Sequence, residues 1–111
     1  MTDIVNALFI RNGNVLLARR SPQRRAYPDV WSFPGGHVDE GETLAEALVR
    51  ELSEEVSVVP TTYKLMGTIS DPNAAPADPI TYHMFAVTSW DGGELAIVDD
   101  EHTKLTWLPF D

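Results

Sequence analysis

Three glutamates, Glu51, Glu54 and Glu55, stand at i, i+3 and i+4 in an acidic run, a spacing that puts their carboxylates on one stripe of a helix. Like charges so placed cost a helix about a few tenths of a kcal/mol, so local stability does not account for them. A hard divalent cation reverses the sign, because carboxylate oxygens suit Mg²⁺ or Mn²⁺. Arg50, four residues before Glu54, can hold one carboxylate through a charge-assisted hydrogen bond. A bare E-x-x-E-E on a helix is most often a solvated acidic face, and the surrounding chain decides between the two readings.

The elements that must position these groups follow from periodicity. Thr43 and Glu46 form a capping box, which starts a helix near Thr43. At about 100° per residue, Leu44, Ala45, Leu48, Val49, Leu52 and Val56 share its core face, and the small Ala47 leaves room beside the acids. Just upstream, Pro34-Gly35-Gly36 permits tight backbone approach. Residues 3–10 and 15–20, joined by Asn12-Gly13-Asn14, read as a hairpin. Residues 21–29, with two prolines, read as a loop carrying Arg24 and Arg25. Trp31 is expected in the core, whereas Phe33 divides between core packing and stacking on a nucleobase. Residues 61–69 and 80–90 are strands, the second central, with His83 an ordinary strand histidine. Residues 71–79 hold three prolines and form a loop, which is either a connection or a determinant of substrate choice. Residues 94–98 suggest a short strand, 99–102 an acidic cluster and 104–109 a final strand.

Gly36, five residues, Glu42, seven residues, then Arg50-Glu51-Leu52-Ser53-Glu54-Glu55-Val56-Ser57-Val58 resembles the Nudix box, G-x5-E-x7-R-E-U-x-E-E-x-G-U, where U is aliphatic. One fixed position departs: Ser57 replaces the last glycine, which in the family follows the helix where a left-handed backbone is convenient. The resemblance implies an α/β Nudix fold: a single domain over 1–111, an α/β/α sandwich with a central mixed β-sheet and the Nudix helix. The C-terminal helix of many relatives is expected to be missing or short. It further implies a Mg²⁺ site, with Mn²⁺ as substitute, formed by the Gly35 carbonyl, Glu51, Glu54 and Glu55. Glu42 and Arg50 orient the ligands. Glu101, six residues before Trp107, resembles a further ligand of MutT-type relatives, and the general base is Glu51 or, next in order, Glu101. Arg20, Arg24, Arg25 and Phe33 are the candidates for binding substrate phosphate or base.

The implied substrate is a nucleoside diphosphate linked to another group, with a nucleoside triphosphate, ordinary or oxidised, giving monophosphate and pyrophosphate. ADP-ribose or a nucleotide sugar is the alternative within the family. Isopentenyl diphosphate isomerase shares the frame but uses a cysteine that this chain lacks. A non-catalytic nucleotide-binding module is the alternative of another class, and the intact acids of the box argue against it.

Composition is consistent with this. A chain of 111 residues, 43% hydrophobic, suits one core. No apolar run approaches the roughly 20 residues of a membrane span, and the first residues lack the basic start of a signal peptide. Without cysteine there is no thiolate site or disulfide, and the cytoplasm is the expected compartment. A net charge of −9 argues against nucleic acid or an anionic membrane as partner, leaving a small-molecule nucleotide and a monomer or homodimer. Residues 1–35 hold five bases and two acids, a net of +3, whereas 36–111 hold three bases and fifteen acids, a net of −12.

Overall fold

The computed structural model describes residues 2–20, 31–95 and 102–109. Seven strands and one helix follow in the order β1 (Thr2–Arg11), β2 (Asn14–Arg20), β3 (Trp31–Ser32), β4 (Gly35–His37), α1 (Leu44–Val56), β5 (Val59–Ser70), β6 (Ile80–Asp91) and β7 (His102–Pro109). The α/β class and the mixed sheet are those the resemblance implied. Among the described residues there is one helical layer, where a sandwich has two.

Hydrogen bonding joins the strands in the order β3-β2-β1-β6-β5, with β4 added to β1 and β7 to β2. The pairing divides this sheet into halves. In one, β1 runs parallel to β6 from Thr2↔Ile80 to Phe9↔Val87, and β5 lies antiparallel on the far side of β6. In the other, β2 pairs antiparallel with β7 from Asn14↔Pro109 to Arg20↔His102. The 3–10/15–20 hairpin exists, but its pairing is confined to Ile10↔Val15 and Arg11↔Asn14. Beyond those pairs β1 and β2 part, and residues 31–37 fill the gap. There β3 pairs with β2 at Ala18↔Ser32 and β4 with β1 at Val5↔Gly36. Between them the Pro34 carbonyl accepts from the Ala7 amide at 2.7 Å.

Alternation along β1 explains the core. Val5, Ala7 and Phe9 are fully buried, and they meet Phe85 and Val87 of β6 under Leu48, Leu52 and Val56 of α1. Burying side chains of this size contributes about 1.5–3 kcal/mol each. The helical core face is rotated from the one its periodicity suggested. Ala47 is buried with Leu48, Leu52, Glu55 and Val56, while Ala45 and Val49 are only half-buried. The glycine turn packs on the acidic side of α1, where the Gly35 amide meets the buried Glu55, and Ala47 joins the apolar cluster.

Three further expectations fare differently. Trp31 is 39% exposed, because β3 is a two-residue edge strand; its ring lies under the Arg19 guanidinium, 5.7 Å from the centroid. Strand β6 is interior, as expected, and His83 Nε2 donates to Asp3 Oδ1, 2.9 Å away. Glu94 and Leu95 lie outside any strand, and 96–98 fall outside the described residues. No helix of the described residues is long and apolar enough to cross a membrane.

Candidate active site

The site is assembled where the 31–37 segment meets the acidic stripe of α1. Thr43 caps the helix: its hydroxyl accepts from the Glu46 amide at 3.1 Å, and the Glu46 carboxylate accepts from the Thr43 amide at 2.8 Å. This fixes the register of every acid downstream. Glu51, Glu54 and Glu55 do share the stripe, yet their surroundings differ. Glu55 is 6% exposed and accepts from the Gly35 amide at 2.8 Å. Glu51 is largely covered, whereas the Glu54 side chain is mostly in solvent.

Both glycines of the turn are needed for close approach. A Cβ on Gly35 would collide with the Val5 carbonyl oxygen, and one on Gly36 would meet the Glu51 carboxylate at 2.5 Å. The turn therefore lies directly on the carboxylates, with no side chain between them.

Arg50 is the hub of the cluster. Its guanidinium forms a two-pronged pair with Glu42, Nε to Oε2 at 2.7 Å and Nη2 to Oε1 at 3.0 Å. It also donates to Glu51 at 2.9 Å, Glu54 at 3.3 Å and the His37 carbonyl at 2.9 Å, and lies 3.4 Å from Asp39. The fork geometry of arginine makes this many contacts possible from one side chain. The hydrogen bond from Arg50 holds the Glu42 carboxyl below the usual carboxylate range, helped by the Asp39 amide. The same bond to Glu42, with Glu51 and Asp39 adding, pushes the Arg50 pKa up against the opposing effect of burial. Arg50 thus stays charged, tied at once to the entry loop and to two acids of the stripe.

Among the described residues, no three acidic or imidazole side chains converge closely enough to hold an ion as they stand. Arg50 is the cation that Glu51 and Glu54 face. The donor set is nonetheless composed of carboxylate and carbonyl oxygen, without sulfur, which is the chemistry of a hard divalent cation.

The remaining candidates are placed as follows. Phe33 is half-buried in the wedge between the half-sheets. Arg20 ends β2 in register with His102, at the end of the sheet where the wedge carries Gly35. Arg24, Arg25 and Glu101, and the side chain of Arg20, lie outside the described residues. Two contributors escaped sequence reasoning. The Gly35 amide, which fixes Glu55, left no signal in residue type. Asn6 did: it is the one amide in the apolar run of β1 and has the parity opposite to the buried Val5 and Ala7. Its backbone is in register with Gly35 and its side chain donates to Met84 Sδ at 3.8 Å on the sheet face away from α1.

Known proteins share this fold. The structure aligns with the crystal structure of a MutT NUDIX hydrolase from Burkholderia pseudomallei over 97% of this chain and 82% of that one, with a TM-score of 0.87 and 27% identity. The chain is 32% identical over 107 residues to the CTP pyrophosphohydrolase of Escherichia coli (strain K12), covering 96% of this chain and 75% of the relative. It is also 32% identical over 96 residues to the ADP-ribose pyrophosphatase of Methanocaldococcus jannaschii, covering 86% of this chain and 55% of the relative. The chain thus spans little more than half the length of that protein. The NUDIX domain model matches residues 2–111. With this match, and the glycine turn seated on an E-x-x-E-E helix, the chain belongs to the NUDIX family.

Proposed function

We propose that the chain hydrolyses a phosphoanhydride bond in a nucleoside diphosphate linked to a further group, and that a nucleoside triphosphate is cleaved to monophosphate and pyrophosphate. The observation that carries this reading is the seating of Gly35 and Gly36 directly on the Glu51 and Glu55 carboxylates. It lays the backbone of the turn against two carboxylates of α1, with no glycine side chain between them.

Glu51, Glu54, Glu55 and the Gly35 carbonyl would hold Mg²⁺, with Mn²⁺ as its substitute. When bound, the ion supplies neutralisation of phosphoryl charge and acidifies water. The chain's own groups do the rest. Glu51 takes the proton of the attacking water, with Glu101 the next candidate. Arg50, locked by Glu42, keeps the acids of α1 in a fixed relation to the turn. Arg20, Arg24 and Arg25 belong to the basic third of the chain and serve the phosphates. Phe33 and Asn6 are the groups offered to a base, one by stacking and one by its amide.

A second reading, cleavage of ADP-ribose or a nucleotide sugar, is favoured by the 32% identity to an ADP-ribose pyrophosphatase. Product analysis separates the two. The chain is incubated with Mg²⁺ and a panel of ordinary and oxidised nucleoside triphosphates, nucleotide sugars and ADP-ribose. Monophosphate and pyrophosphate from a triphosphate are expected. AMP and ribose 5-phosphate from ADP-ribose, without triphosphate turnover, would assign the second reading. Turnover of none would contradict both.

A further inference from the structure

The two half-sheets touch along β1 and β2 through only the two residue pairs beside the turn. From there they diverge, and the wedge of residues 31–37 occupies the opening. The candidate site lies along that wedge, where it meets α1: Gly35 is in register with Asn6, five residues and roughly 16 Å along β1 from Arg11. Groups on α1 and β4 stand on one half, and Phe33 follows β3, which pairs with β2 of the other. Their separation depends on the angle at which the halves meet.

At the apex of this V, three side chains from three strands are packed together. Trp90 of β6 and Trp107 of β7 stack with centroids 6.3 Å apart and planes 19° apart. They belong to opposite halves, so this stack is a contact across the junction. The Arg11 guanidinium of β1 lies over both rings, 4.6 Å from the Trp107 centroid and 5.4 Å from that of Trp90, within the range of a cation–π contact. Phe9 meets Trp90 edge to face at 5.1 Å, which anchors the stack to the buried core. Glu94, 3.5 Å from Arg11, holds the guanidinium from the solvent side. A stack of this kind is directional as well as cohesive, since rotating one half against the other slides one indole off the other and both off the cation.

We propose that Arg11, Trp90 and Trp107 form a clasp that fixes the angle between the half-sheets and thereby sets the width of the substrate cleft at their open end. They are positioning residues, and their effect on turnover rests on the hydrolytic reading above. A loosened clasp lowers the fraction of molecules with the cleft at its productive width. Apparent substrate affinity then falls by that fraction, while the saturated rate is kept.

The chain has no cysteine, so a pair introduced at Thr68 and Lys104 gives unique labelling sites. Both are exposed; Thr68 lies on β5 in register with His83, and Lys104 on β7 in register with Arg19. Spin labels on Thr68→Cys/Lys104→Cys report the opening by electron–electron distance measurement. A single narrow distribution is expected, broadened by Arg11→Ala and narrowed again by Arg11→Lys, which keeps a cation over the rings. In the unlabelled proteins Arg11→Ala should raise KM about three- to tenfold with kcat within twofold. A merely stabilising role would lower the active fraction and leave KM alone. An unchanged distance distribution in Arg11→Ala overturns the clasp, and a broadened one with unchanged KM overturns its effect on the cleft. If the wild-type chain turns over no nucleotide, the hydrolytic reading fails, and the distance measurement still decides whether the clasp exists.

Discussion

Ser57 shows what a single residue costs here. It caps α1 at φ 61° and ψ 32°, a left-handed conformation that a Cβ makes unfavourable by about 1–2 kcal/mol. Glycine removes that penalty but adds freedom to the unfolded chain. Ser57→Gly should therefore gain about 0.5–1 kcal/mol net, or roughly 2–4 °C in Tm, read by thermal unfolding with Mg²⁺ dependence unchanged. Glu42 supplies a pH test. Arg50 and the Asp39 amide depress its pKa in the folded state. Its contribution is thus fully present above the unfolded carboxylate value and is lost as pH falls through the lower folded one. Glu42→Gln should be less stable than wild type at neutral pH, with the gap closing below about pH 4. Denaturant midpoints at the two pH values check this; a gap that is constant with pH would mean the Arg50 pair is not its source.

At the scale of elements, Arg50 ties two acids of α1, Glu51 and Glu54, to Glu42 and His37 of the entry loop. Arg50→Ala removes the shared cation of Asp39, Glu42, Glu51 and Glu54 and should cost about 2–3 kcal/mol. Mg²⁺ should raise the Tm of Arg50→Ala more than that of wild type, because the variant has more uncompensated charge for the ion to neutralise. Scanning calorimetry with and without the ion measures both. This element was largely legible in the sequence. The Thr43/Glu46 box marked its start, and the Glu51, Glu54, Glu55 spacing marked its functional stripe, since both are local and depend only on helical geometry. The buried face was less legible: Glu55 is covered where Gly35, 20 residues earlier, meets it, and periodicity cannot register that. Trp31 misled for a similar reason. Aromatic character suggested the core, but exposure is set by its place on an edge, and pairing partners are a tertiary property.

Over the whole molecule, the strands of the described residues were largely visible as alternating runs, but their partners were not. The 3–10/15–20 hairpin reads as a local pair, and the chain uses it instead as the junction of two half-sheets, each completed by strands from distant sequence. The site exists because of that division. The 31–37 segment can reach across from β2 to β1 only where they have parted, and this brings Gly35 and Gly36 onto α1. Charge is segregated along the sequence, net +3 before residue 36 and −12 after it, and of the described bases Arg11 and Arg19 lie over tryptophan rings.

The central claim is that the E-x-x-E-E stripe and the glycine turn form a metal-dependent hydrolytic site. The most direct test is pyrophosphate release from a nucleoside triphosphate as a function of Mg²⁺ concentration, in wild type and in Glu54→Gln. Glu54 is the acid of the stripe most open to solvent, and circular dichroism verifies that the variant keeps its fold. Turnover should require the ion in wild type and fall at least about 100-fold in Glu54→Gln, with folding intact. Equal turnover in the two proteins, or turnover in wild type that is unchanged when the ion is chelated, would contradict it.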